Sequence, residues 1–239
     1  MYNLLRKQII LLIIALTTLN AVAQKEQWRS GHDELQYYFG ATLGYNVGYL
    51  SAAKSDKFLM DDSILVAEPA STGGISLGFH ATAKLSKHWQ ARFNPQIILG
   101  GARYFSYTLN KKYFPNEPVE QKFTLPTTLV TFPFSFKFNS DRIDNFRTYL
   151  LFGVKADVDL SASSAGRNQE GYIRLKKYNF GVEAGIGFNI FLRFFTLSPE
   201  LKISYGLSDI HDRNENLKYS SVFSTINSRM IMFSLHFED

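Results

Sequence analysis

Phe132-Pro-Phe-Ser-Phe-Lys-Phe138 constrains this chain more than any other stretch. In an extended segment successive side chains point to opposite sides, so Phe132, Phe134, Phe136 and Phe138 share one face and Pro133, Ser135 and Lys137 the other. The same alternation recurs in seven further segments, and no amphipathic helix is long enough to cover so many apolar faces. Lipid is the simplest solvent for them. Composition agrees: mean hydropathy is only −0.12, too low for a bundle of membrane helices but natural where alternate residues alone face lipid. Aromatic content reaches 15%, with 21 Phe and 13 Tyr, which suits aromatic girdles at two interfaces.

Residues 1–23 read as a secretory signal peptide: Arg6 and Lys7, the apolar run Ile9 to Leu16, and Ala21-Val22-Ala23 before Gln24. The run is shorter than the ~20 residues of a membrane-spanning helix. Its removal takes two basic residues and lowers the formal charge from +5 to +3, which gives nucleic-acid binding little support. Residues 24–239 are then one barrel domain. The chain has no Cys, excluding disulfides, a lipidated cysteine and thiol catalysis.

Eight strands are expected, at Leu35–Leu50, Gly73–Leu85, from Trp89, from about Leu125, at Arg147–Leu160, Tyr178–Phe191, Phe195–Leu207, and through Ile231 to Phe237. Pro95 lacks the amide hydrogen a central strand needs, so a bulge is expected there. Links alternate short (Ser86–His88, Asn139–Phe146, Leu192–Phe194) and long and polar (Ser51–Thr72, Asn110–Lys122, Ser161–Lys177, Ser208–Asn227). All short turns therefore fall on one side with both termini. The fold expected is all-β, an eight-stranded antiparallel up-and-down transmembrane β-barrel of the outer-membrane type, with periplasmic turns and extracellular loops. A lipocalin-like barrel would have to turn these apolar faces inward, and their volume exceeds a small interior.

Parity places His80, Lys84, Arg92, Lys137, Lys155, Asp157, Glu183, Glu200 and Lys202 on inner faces. Arg92, Lys155, Asp157, Glu183, Glu200 and Lys202 form the expected lumen charge network, pairing and plugging a narrow interior. Asp209 and His211 could activate water, but no further acidic partners are identifiable, and a solvated loop is the plainer reading. The five His show no metal-ligand spacing. The glycines at 181, 185 and 187 alternate along a strand and are no nucleotide fingerprint. No catalytic residue, cofactor, metal or small-molecule substrate is expected, and the chain reads as a non-enzyme.

Two segments carry a family likeness. Phe136-Lys-Phe-Asn-Ser-Asp-Arg-Ile-Asp-Asn-Phe-Arg-Thr-Tyr149, with Gly153 and Asp159-Leu160 after it, resembles the PorT family of outer-membrane proteins. Gly185-Ile-Gly-Phe-Asn-Ile-Phe-Leu-Arg-Phe-Phe-Thr-Leu-Ser-Pro-Glu-Leu-Lys202, with Tyr205-Gly206-Leu207, is similar to it too, as is Ser234-Leu-His-Phe-Glu238. The resemblance implies a part in protein export by the type IX secretion system and the gliding motility served by it. Expected partners are outer-membrane lipids and other secretion proteins of the outer membrane and periplasm. The turn Ser140, Asp141, Arg142, Asp144 and Asn145 is either a contact for those proteins or a self-capped turn whose Asp and Asn bond their own backbone. The alternative function is a surface adhesin or ligand-binding protein working through long extracellular loops such as Lys54–Glu68.

Overall fold

The computed structural model describes residues 27–60, 63–70, 72–100, 103–125, 127–162, 173–213 and 219–239. The expected signal peptide, 1–23, lies outside them. The wall is built from β1 (Tyr37–Lys54), β3 (Gly73–Lys84), β4 (Trp89–Phe93), β5 (Gln96–Gly100), β8 (Thr128–Asn139), β9 (Phe146–Asp159), β11 (Tyr178–Phe191), β12 (Thr196–Gly206) and β14 (Phe223–Glu238). Each pairs antiparallel with its chain neighbours in the wall, and β14 returns to β1 with Gly40 opposite Glu238. β4 and β5 act as one wall strand, so eight strands close the ring. Closure leaves no sheet edge in lipid, which is what a spanning sheet requires.

The expected bulge at Pro95 does not form. β4 and β5 part at Asn94-Pro95, but Phe93 faces Ala81 and Gln96 faces Gly78, the same register on both sides of the gap. The flanking strands absorb the missing donor: Pro95 accepts from the Phe79 amide and Asn94 donates to the Pro133 carbonyl.

Alternation sorts the wall as lipid requires. Phe79 is 75% exposed and the next residue, His80, 2%. Phe39, Tyr45, Phe152, Phe180, Ile203 and Phe233 are likewise exposed on the outside, while Thr42, Ser76, Arg92, Ser135, Lys137 and Glu200 are buried within. The barrel is polar inside and apolar outside.

The short links are tight. Leu85 and Ser86 amides both reach the Trp89 carbonyl, and Ile143 and Phe146 exchange two backbone hydrogen bonds across Asp144-Asn145. Asp144 takes a left-handed φ of 52°, a conformation that Asp tolerates better than most residues.

The long links correct the reading of them as polar. They contain α1 (Asp56–Met60) and two small sheets: β2 (Ile64–Ala70), β6 (Arg103–Leu109) and β7 (Glu120–Leu125) in one, β10 (Arg174–Leu175) and β13 (His211–Asp212) in the other. Together with the ends of β1 and β14 they enclose the main apolar core, in which Phe105, Tyr107, Leu109, Ile210, Phe223 and Ile226 are buried. The main hydrophobic core of this barrel therefore sits above it, in a folded cap, while a smaller cluster of Ile98, Leu129, Met230 and Met232 lies within the wall.

Candidate functional site: the closed lumen and its two ends

Arg92, on β4, is the hub of the lumen. Its guanidinium donates to Glu200 Oε2 at 3.2 Å and to Glu238 Oε1 at 2.5 Å, while Nε reaches Thr82 Oγ1 at 3.3 Å. Lys137 Nζ lies 3.8 Å from Glu238 Oε1 and 3.9 Å from the centre of the Tyr149 ring, whose hydroxyl donates to Glu200 at 2.9 Å. Charge-assisted bonds of this kind are the strong ones in a low-dielectric interior. Gly187 makes room for the tyrosine: a Cβ there would lie 2.3 Å from its ring.

Two imidazoles complete the cluster. Thr42 Oγ1 stands 3.2 Å from His80 Nδ1 and 2.9 Å from His236 Nδ1, so one hydroxyl holds both rings. Their Nε2 atoms face Glu238 at 3.6 Å and Glu200 at 3.5 Å. Toward the cap, Lys202 lies 3.2 Å from Glu183 and Lys155 2.8 Å from Asp157, which also accepts from Asn179 at 3.0 Å.

All six expected lumen residues are buried inside, and the structure divides them. Arg92, Glu200, Lys202 and Glu183 form one connected chain of pairs; Lys155 and Asp157 form a separate pair. Glu238, His236, Lys137 and Tyr149 belong to the centre as well. In these pairs four cations (Arg92, Lys137, Lys155, Lys202) meet four carboxylates (Asp157, Glu183, Glu200, Glu238), and Asp159, also buried, follows Asp157 on the same face of β9. Parity already places Lys137 inside, and it would place His236 and Glu238 there too once Phe237 is read as outward. Lys84 is at the mouth instead, its Nζ donating to the Asp33 carbonyl.

The short-turn mouth is closed by the residues that precede β1. Arg142 is the clamp. It donates to the backbone carbonyls of Trp28 and Arg29, to Asn145 Oδ1, and to Asp33 Oδ2 at 3.0 Å, and lies over the Phe191 ring at 3.7 Å. Asp33 also takes Arg147 at 2.7 Å, and Asn145 Oδ1 accepts from the Trp28 amide at 2.8 Å. Within the turn, Ser140 Oγ bonds the Asp141 carbonyl and Arg142 Nε the Asp144 carbonyl. So Arg142 and Asn145 are occupied by the chain's own lead-in. Asp141 and Ile143 face outward, Asp141 paired with Lys87 at 2.8 Å. That pairing holds the Asp141 carboxyl below the usual range.

Asp209 and His211 do not make a dyad. Asp209 Oδ1 accepts from the backbone amides of His211 and Ile226, both at 3.0 Å, and buried His211 directs Nε2 at Ser220 Oγ, 2.9 Å away. Their role is to stitch the cap. Among the described residues no cluster of His and acidic side chains could hold a metal ion.

Compared with known proteins, residues 22–212 match the family described as Outer membrane protein beta-barrel domain. The chain belongs to that family. This outer-membrane barrel domain therefore lies in the outer membrane of a Gram-negative bacterium; barrels of this kind carry short turns on the periplasmic side and longer loops outside. It is similar in structure to OprG from Pseudomonas aeruginosa, at 11% identity over 85% of this chain and 95% of that one, with a TM-score of 0.44. AlkL, solved in DMPC bilayers, is similar at 11% over 85% and 89%, TM-score 0.45. Ail from Yersinia pestis, solved in complex with the heparin analogue sucrose octasulfate, is similar at 9% over 86% and 100%, TM-score 0.39. No curated protein matches.

Proposed function

We propose that this outer-membrane barrel is a non-enzymatic component or assembly factor for protein export by the type IX secretion system, and for the gliding motility linked to it. The observation that carries this reading is the filled lumen. A barrel whose centre is occupied by Arg92, Lys137, Tyr149, Glu200 and Glu238 does not work as a conduit and must act through its ends. At the periplasmic end, the turn that carries the resemblance to the PorT family is held rigidly by Arg142 and presents Asp141 and Ile143. Partners there are other secretion proteins of the outer membrane and periplasm.

The test is export of type IX cargo in a deletion strain carrying wild type or Ile143→Asp, a change at a 73% exposed side chain. Cargo should accumulate in the periplasm of the deletion strain, recover with wild type and fail to recover with the variant. Untouched export in the deletion strain would overturn the reading. The second reading, a surface adhesin, is favoured by one feature: the extracellular loops form a cap with its own core rather than loose tethers. An adhesin would be dispensable for export, and replacing the cap would abolish surface attachment.

A further inference from the structure

Arg229 is a cation on the lipid-facing side of the wall. Along β14, residues on the outer face run Phe237, Leu235, Phe233, Ile231 and then Arg229, so the arginine stands where the apolar band ends at its extracellular border. It pairs across the sheet with Tyr49 on β1 and Tyr205 on β12, and its guanidinium lies 5.0 Å from the centre of the Tyr205 ring. Among the described residues no carboxylate is within ion-pair distance of it; its guanidinium donates hydrogen bonds to the neutral Tyr205 and Tyr49 side chains, and its buried Nε has no partner. An unpaired cation bordering hydrocarbon calls for an anion from the membrane itself.

Beside it the wall is concave. A groove of about 820 Å³ opens on the outer face, bordered at one end by Tyr49, Tyr205 and Arg229. It follows a row of directly paired residues: Arg229 to Tyr205, Tyr205 to Val182, Val182 to Val154, Val154 to Phe134. A second row, Ile231, Ile203, Ala184, Phe152 and Phe136, lies next to it. Small Ala184 sits between Phe152 and Ile203, leaving a hollow where its neighbours rise.

The row's direction matters. Strands tilt about 40° from the membrane normal, so a row perpendicular to them descends as it circles the wall. Tyr205 is one residue from the extracellular end of β12, whereas Phe134 is in the middle of β8. Four strand spacings span ~19 Å, of which ~12 Å is descent at that tilt, close to the ~15 Å depth of one leaflet.

We infer that this is a binding site for one net-anionic, phosphate-bearing lipid of the outer leaflet, its phosphate on Arg229 between Tyr49 and Tyr205 and one acyl chain in the groove. Charge selects the headgroup, and the oblique hollow takes the chain. The inference is independent of any role in secretion.

The experiment is native mass spectrometry of the barrel released from nanodiscs of phosphatidylcholine doped with lipid A or with phosphatidylglycerol. Wild type, Arg229→Gln and Ala184→Phe are compared, with folding checked by the heat-dependent gel shift. One lipid A should stay bound to wild type, and retention should fall about tenfold or more in each variant, as the loss of one charge-assisted contact would give. Phosphatidylglycerol held equally well would assign the phosphate, rather than the sugar, as the recognised group. Equal retention of phosphatidylcholine, or unchanged retention in both folded variants, would mean annular lipid only and overturn the site. Loss in Ala184→Phe without loss in Arg229→Gln would overturn the role of the cation.

Discussion

Arg92 shows how little freedom a residue has once it is enclosed by the wall. It is 1% exposed and shared between two carboxylates on different strands, Glu200 and Glu238. Removing one partner from a buried ion pair leaves the other charge uncompensated and costs about 3–5 kcal/mol. Arg92→Met should therefore lower the urea midpoint sharply, read from tryptophan emission, and Arg92→Met with Glu238→Gln should recover part of the loss. Equal stability of the single variant and wild type would show that the cluster is incidental to folding. Parity makes the inward direction of Arg92 legible from sequence. Its partner is not legible, because Glu238 lies 146 positions away and only the register of the ring brings them together. Sterics act at the same scale: a Cβ on Gly40 would lie 2.4 Å from the Phe237 carbonyl and 2.5 Å from the His80 ring.

Among the elements, the wall strands and the cap differ in how plainly they are written. β11 matches its expected span, Tyr178–Phe191, because six outward apolar residues alternate there with small and polar ones. β14 begins earlier than its apolar face suggests, since Phe223 and Ile226 point into the cap rather than to lipid. β6 alternates cleanly, Phe105, Tyr107 and Leu109 inward, but β2 does not, and the core they meet is made of pieces from several loops that nothing local announces. His211 tests the cap. Burial holds its pKa below the ordinary 6.5, with Asp209 and Asp212 opposing that shift and Arg213 and Lys176 reinforcing it. Since the folded cap disfavours the protonated ring, the stability His211 contributes is complete above about pH 6.5 and is lost as the pH falls through its lower folded value. Protease sensitivity of the loop segments should rise between pH 7.5 and pH 5, and His211→Gln should flatten the difference. A cap equally resistant at both pH values would show that His211 does not control it.

For the whole molecule, a polar interior and an apolar exterior invert the usual arrangement, and stability rests on paired charges within the wall plus a conventional core in the cap. Eight strands enclose a space about wide enough for side chains alone. Here it is filled by long ones locked to each other. Wild-type protein in planar bilayers should accordingly show no stepwise conductance above baseline; discrete openings would contradict a sealed lumen.

The seam between β14 and β1 has a consequence for how the ring finds its register. Hydrophobic alternation has a period of two, so it forbids a slip of one residue but is indifferent to a slip of two, which keeps every side chain on its proper side. A two-residue slip would, however, carry Glu238 about 6.8 Å along the lumen, away from Arg92, Lys137 and His80. Opposite Gly40 it pairs with Arg92 and Lys137; one notch away it leaves Lys137 without its carboxylate and Arg92 with Glu200 alone. Lipid tells this chain which way each residue must face, and the buried charges tell it where along the wall to stop.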